Sequence, residues 1–284
     1  MNFTIITTAI AISENCFIKS RDFQDLSSKF SPLANSEADF YRSRVKTFFT
    51  FQIDFRSICS HIISKENAII VSEIKIMLKL YGGLLTRAFV VEWYLIELGL
   101  DYEFIQLDMS HGEHLKPDFL AINPMGKLPA IVDDGFILWE SGAILLYLAQ
   151  KYGRLPEALP QKAEIFQWIL FANATLINGL FVPENLKREH PRLLTPLSQK
   201  LENQPFLLGK NFSVVDVAVG AVLAYIPILL QLDLSSFPPE IKDSIQNLAI
   251  IDFDTYPGVR EYIKRLSNRK AFEQSTRALR AISK

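Results

Sequence analysis

Order in the hydrophobic pattern begins abruptly at Met77. Upstream, in residues 1–76, apolar side chains are scattered among Ser, Asn, Arg and Lys with neither period 2 nor period 3.6. Ser27-Ser28-Lys29-Phe30-Ser31-Pro32 and Thr47-Phe48-Phe49-Thr50-Phe51 are examples. These residues read as an extension whose structure the sequence specifies poorly. They are either an appendage or a reading frame taken too far upstream, with Met77 as the start.

From Met77 the elements follow one another closely. Met77–Tyr81 is a short apolar run and predicts a strand. Ala88–Leu98 predicts a helix with a broad apolar face, and Gly99 stands where a left-handed C-terminal cap belongs. Tyr102–Leu107 is rich in strand-forming residues. A strand, a helix and a strand joined by short links imply a parallel pair with a right-handed crossover. A short helix is expected near His114–Ala121. Leu128–Val132 and Phe136–Leu138 flank Asp133-Asp134-Gly135, a hairpin signal. Ser141–Tyr152 then predicts an apolar helix closed by Gly153, with Pro156 soon after. The order βαβ, α, ββ, α defines a small mixed sheet with helices packed on it.

Beyond Pro160 the strand signals stop. Gln161–Asn178, Pro191–Asn203, Ser213–Leu230 and Tyr256–Ser267 all predict helices, which together make a helical bundle. Arg154–Pro160, rich in Pro and Leu, reads as the linker. The expected organisation is an extension over 1–76, an α/β domain over 77–155 and an all-α domain over 161–278. Ser213 followed three residues later by Asp216 is a capping box, a folding element rather than a catalytic one.

Composition narrows the function classes. Apolar residues make up 49% of the chain, enough for a sizeable core. Lys and Arg (30) balance Asp and Glu (31), so net charge gives no reason to expect nucleic acid or an acidic membrane surface as partner. The longest apolar stretch, Val214–Leu230, falls short of a membrane span and contains Asp216 and Pro227. Two cysteines, Cys16 and Cys59, make no disulfide framework, and a cytoplasmic location is the expectation. No His/Cys cluster has metal-ligand spacing, so no metal is expected.

The string Asn123-Pro124-Met125-Gly126-Lys127-Leu128-Pro129-Ala130 runs into the hairpin, and Trp139-Glu140-Ser141-Gly142-Ala143-Ile144 leads into the helix that carries Tyr147-Leu148. In this order they resemble the glutathione-binding half of the glutathione S-transferase family, and the likeness extends from Met77 to about Ala278. The resemblance implies a thioredoxin-like fold with a cis peptide before Pro129, glutathione as co-substrate and a homodimer. The Leu128 backbone would then bind the peptide as an added strand. Glutathione carries two carboxylates, an α-amino group and a thiol. Glu140-Ser141 opens a helix whose free N–H groups and partial positive charge suit a carboxylate. By the resemblance that carboxylate belongs to the γ-glutamyl group, with Ser141 donating to it and Glu140 pairing with the α-amino group. Lys127 and His114 occupy positions that meet the glycine carboxylate in related classes. Taken alone, Ser141 is also an ordinary first-turn residue, Lys127 a solvated charge and His114 a structural histidine.

The thiolate is the nucleophile, and a free thiol has a pKa of about 8.5. Bringing it to about 6.5 takes about 2.7 kcal/mol of preferential thiolate stabilisation. The loop Tyr81-Gly82-Gly83-Leu84-Leu85-Thr86-Arg87-Ala88 contains neither Cys nor Ser. A cysteine-based exchange mechanism therefore lacks its sulfur. Arg87, at a helix N-terminus, is the expected activator, with Thr86 assisting through its hydroxyl. Tyr81 is the next candidate. The Gly-Gly loop leading to Arg87, with Asp108-Met109 and Trp139-Glu140-Ser141 beyond, is similar to the bacterial chi class. Leu84, Leu85, Phe166, Phe171 and Tyr225 are candidates to line the second-substrate pocket between the halves.

The resemblance thus implies attack by bound glutathione thiolate on a small hydrophobic electrophile, by conjugation, dehalogenation or peroxide reduction. The rivals are a transferase-like module that recruits proteins without catalysis, and a glutathione-dependent isomerase.

Overall fold

The computed structural model describes residues 78–282 apart from 154 and 236. The expected extension over 1–76, Cys16, Cys59 and the strand position expected at Met77 lie outside the described residues. The described residues all fall in one unit.

The α/β half follows the expected order. Strand β1 is Leu78–Gly82, helix α1 Ala88–Leu98, β2 Tyr102–Gln106, α2 Pro117–Leu120, β3 Ala130–Asp133, β4 Phe136–Trp139 and α3 Ser141–Lys151. The sheet order is β2-β1-β3-β4. β1 and β2 are parallel, joined by α1, while β3 and β4 continue the sheet antiparallel. The hairpin turn has positive φ at both Asp134 (53°) and Gly135 (81°), the primed turn that Asp-Gly favours. Gly82 is fixed by packing: a Cβ there would stand 2.5 Å from the Ala88 Cβ and 2.6 Å from the Phe104 ring.

Helix α1 is buried on nearly every side, through Val91, Trp93 and Leu95 among others. It packs on β1 and also on helices of both halves, which explains its high apolar content. Gly99 ends it in the left-handed conformation at φ 68°, its N–H bonded back to the last turn. The helix expected over His114–Ala121 is instead two pieces, a 3₁₀ turn Glu113–Leu115 and then α2. Pro117 is the cause, because it drives Lys116 into extended geometry (ψ 149°) and starts a new helix.

The second half contains α4 (Leu159–Leu170), a π-helical segment Phe171–Leu176 and α5 (Ile177–Phe181). It continues with α6 (Pro183–Glu202), α7 (Val214–Leu229), α8 (Pro239–Asn247), α9 (Pro257–Ser267), α10 (Lys270–Ser275) and α11 (Arg277–Arg280). The segment expected as one helix over Gln161–Asn178 starts earlier and changes pitch in its second half. The expected Pro191–Asn203 helix begins eight residues sooner, at Pro183, and runs through Pro191 and Pro196. Both prolines lie on the exposed face, as do Lys187 and Arg192, the residues four positions earlier whose carbonyls lose a partner. Carbonyls on that face are open to solvent, so the helix survives. Helix α7 is the core of this half, with Val217, Val219, Leu223 and Ile226 fully buried. Its capping box forms as expected. Buried Asp216 accepts from the N–H groups of Leu207 and Ser213, from the Ser213 hydroxyl and from the Tyr262 hydroxyl.

Candidate active site between the two halves

The loop after β1 is tightly constrained before it reaches the cleft. A Cβ on Gly83 would lie 2.7 Å from the Leu107 carbonyl oxygen and 3.4 Å from a Leu128 methyl, so the loop sits directly against the turn that carries Pro129. The Leu128-Pro129 peptide is cis. Leu85 takes a left-handed conformation at φ 57°, which an L side chain adopts at a cost of about 1–2 kcal/mol. Thr86 is occupied within the loop. Its hydroxyl donates to the Gly83 carbonyl at 2.7 Å and accepts from the N–H groups of Gly83 and Ala88. The hydroxyl proton therefore points into the loop, and the Thr86 oxygen caps the start of α1.

Arg87 is the first residue beyond that cap and lines a cleft of ≈ 200 Å³. Burial pushes its guanidinium pKa down from the ordinary value, and Glu140 partly offsets this. The Arg87 and Glu140 side chains approach to 3.8 Å, with Glu140 mostly in solvent. Glu140 has φ 71°, an unusual value for a residue with a side chain. The strain turns the chain from β4 into α3, so that the first turn of α3 faces the cleft. Ser141, buried at the start of that turn, also lines it. No residue of the α3 first turn is acidic, which leaves its N-terminus free to take an anion.

Four expected site residues therefore meet here: Thr86, Arg87, Glu140 and Ser141. Leu128 joins them through Gly83. His114 and Lys127 lie further along, outside the cleft lining. They are neighbours, since a Cβ on Gly126 would stand 3.2 Å from the His114 carbonyl oxygen. Lys127 is exposed, and its carbonyl accepts from the Asn123 amide at 2.7 Å. The His114 Nδ1 is buried without a hydrogen-bond partner, which is unusual for a ring nitrogen. Tyr81 packs against Phe119, their ring centres 5.8 Å apart, and does not line the cleft.

Sequence reasoning missed Asn173. It lies in the π-helical segment, accepts from the Ser141 hydroxyl at 3.2 Å and donates to the Ile169 carbonyl at 2.9 Å. Gly142 permits this approach, because a Cβ there would be 2.6 Å from the Asn173 amide nitrogen. The available signal was the small residue following Ser141. The far wall also differs in part from expectation. Leu85 and Tyr225 line the cleft, but Leu84, Phe166 and Phe171 do not; Phe89 and Phe181 stand in the lining instead. Phe166 stands 37% exposed on the outer side of α4, and Phe171 packs edge-on against Trp168. Phe89 and Tyr225 stack at 4.0 Å with their planes 8° apart, joining α1 to α7.

An α/β half and a helical half meet around a half-buried arginine and an open helix N-terminus, and comparison with known proteins gives the class. Residues 77–150 match the glutathione S-transferase N-terminal domain, and residues 181–270 match the C-terminal domain. "Disulfide-bond oxidoreductase YfcG" of Escherichia coli is 35% identical over 165 residues, covering 50% of this chain and 77% of that protein. "Glutathione S-transferase D7" of Drosophila melanogaster is 30% identical over 198 residues, covering 64% and 86%. A glutathione transferase from Burkholderia graminis, solved with two glutathione molecules bound per subunit, superposes with a TM-score of 0.56 at 29% identity, covering 70% of this chain and 87% of that one. The chain belongs to the glutathione S-transferase family.

Proposed function

We propose that this protein is a glutathione transferase in which Arg87 stabilises the thiolate of bound glutathione for attack on a small hydrophobic electrophile. The supporting observation is the convergence of Arg87 with the open N-terminus of α3 in one cleft. The γ-glutamyl carboxylate docks at Ser141 and the N–H groups of that turn, and the α-amino group meets Glu140. The backbone of Leu128 holds the peptide. The glycine carboxylate reaches toward Lys127 and His114, whose buried Nδ1 lacks a protein partner. The thiol then lies near the start of α1, where a half-buried guanidinium and the helix N-terminus both favour negative charge. Thr86 assists by shaping the loop, and through its hydroxyl once that proton turns from Gly83. Activation by an arginine after a Gly-Gly loop is the reason to place the chain nearest the chi class. A cytoplasmic homodimer is part of the same reading. Leu159, Phe166 and Leu170 present an exposed apolar face on α4 that suits a second copy, and Leu170→Glu should lower the apparent mass in size-exclusion chromatography.

A second reading has its own support in the relative named as a disulfide-bond oxidoreductase. Because the loop has no cysteine, the attacking sulfur must come from glutathione. One glutathione thiolate attacks a disulfide sulfur, forming a mixed disulfide and releasing one thiol. A second glutathione resolves it, giving glutathione disulfide and the other thiol.

Calorimetric titration of glutathione, together with the ultraviolet absorbance of the bound thiolate, tests the site on wild type and Arg87→Ala. Binding with a thiolate signal that falls in the variant is expected. An unchanged signal would transfer activation to Thr86 or Tyr81. No binding at millimolar glutathione would favour a protein-recruiting module. Product analysis separates thioether conjugates from glutathione disulfide.

A further inference from the structure

We propose that the cleft has a side chamber that selects second substrates carrying a short cationic or hydrogen-bond-donating arm, with Glu92 as the group that reads it. The inference rests on the glutathione-transferase reading of the main cleft and adds a substrate class to it.

A second cavity of ≈ 80 Å³ also has the stacked Phe89 and Tyr225 in its lining. It shares Leu85, Thr86, Phe89 and Tyr225 with the main cleft, so the two spaces adjoin at these residues. Phe104 and Leu279 supply apolar sides, and Glu92 is the acidic residue in its lining. An accessible space of about 10–15 Å³ already holds a water, so the chamber has room for an arm of several non-hydrogen atoms, such as an aminomethyl or hydroxymethyl group.

Glu92 is placed to recognise such a group. It sits on α1 one turn beyond Phe89, on the same face. One carboxylate oxygen accepts from the Tyr102 hydroxyl at 2.8 Å. No protein donor reaches the other oxygen among the described residues, and no cation pairs with it. Burial raises its pKa, and the Tyr102 bond opposes that rise. An anionic oxygen partly removed from water and short of one donor gains most from an incoming ammonium or hydroxyl. Ser275 and Thr276, which also line the chamber, direct their hydroxyls to the Phe272 carbonyl and so do not compete for the carboxylate. A neutral apolar arm in the same place would leave that carboxylate oxygen without water or donor, and this supplies the discrimination.

The test uses two stable product analogues, S-benzylglutathione and S-(4-aminomethylbenzyl)glutathione, titrated calorimetrically into the full chain. Wild type should bind the aminomethyl conjugate about tenfold more tightly. E92Q, which keeps an acceptor for Tyr102, should abolish that difference. Ala278 lines the chamber from the exposed side, so Ala278→Leu fills it without touching the core and should reduce the preference while leaving S-benzylglutathione binding in place. Equal affinity for the two conjugates in wild type, or a preference that persists in E92Q, would overturn the proposal. Failure of both conjugates to bind wild type would instead remove the glutathione site on which the chamber depends.

Discussion

At the scale of single residues, the cleft depends on which charges its walls already carry. Ser141 and Asn173 hold each other at 3.2 Å beside a helix N-terminus that has no acidic residue in its first turn. Asn173→Asp would place a carboxylate where the ligand's carboxylate binds. Like charges at that range should weaken glutathione by tenfold or more, about 1.4 kcal/mol, while Asn173→Ala should cost less. Titration of both variants decides it, and equal losses would show that Asn173 acts only by packing. Glu92 gives a pH prediction. Its folded-state pKa is raised, so its contribution to stability is complete below about 4.5 and is lost as pH rises through the folded value. Glu92→Gln has no such titration. Relative to wild type it should therefore gain stability from pH 4 to pH 8 in urea denaturation, and a constant difference would contradict the assignment.

At the scale of elements, close approach between helices is set by small residues. Gly258, the second residue of α9, lies against α6, where an added Cβ would run into the Ser198 carbonyl, and its N–H donates to the Ser198 hydroxyl at 2.9 Å. Gly258→Ala must part the two helices and should cost roughly 2–3 kcal/mol in chemical denaturation. A loss under about 0.5 kcal/mol would mean that the helices slide apart freely. The same elements show what the chain made legible. The strands, α1, the Asp-Gly hairpin, α3 and the α7 capping box all announce themselves through local chemistry, and the structure has them within a residue or two of expectation. Pro117 was legible too, but its effect on Lys116 was undervalued. Pro191 misled in the opposite direction, as an apparent helix start inside a longer helix, because a proline's cost depends on whether the carbonyl four residues back can reach water. That is a property of the folded surface. Helix α8 had only a short signal, Ile241, Ile245 and Leu248 at helical spacing, and the π-helical pitch around Asn173 left none. The cleft shows the same division: Arg87, Glu140 and Ser141 come from contiguous strings, whereas Asn173 and the Phe89–Tyr225 stack exist only once α1, α3 and α7 have packed.

At the scale of the whole described molecule, the two halves share a partly buried ionic clamp. Arg269, just before α10, grips Glu97 near the end of α1 with two hydrogen bonds of 2.6 and 2.7 Å. Trp93 donates to the same carboxylate at 2.9 Å, and the guanidinium lies 3.6 Å over the Phe212 ring. Glu97 is only 14% exposed, so solvent does little to replace those partners. α1 also carries Phe89 and Glu92 and is preceded directly by Arg87, so the clamp fixes the helix from which the cleft and its side chamber are built. Arg269→Met leaves Glu97 half sealed with one neutral donor and should cost roughly 2–4 kcal/mol. In a unit of this size that lowers Tm by roughly 4–16 °C. Glu97→Gln should cost less, because the Trp93 bond survives. The double variant should lose less than the sum of the two, since the second change removes a partner already stranded. Calorimetric scans of the four proteins measure that coupling. Strict additivity would mean that the halves are held by apolar packing alone, and α1 would then owe its position to Trp93 and Leu95 rather than to the clamp.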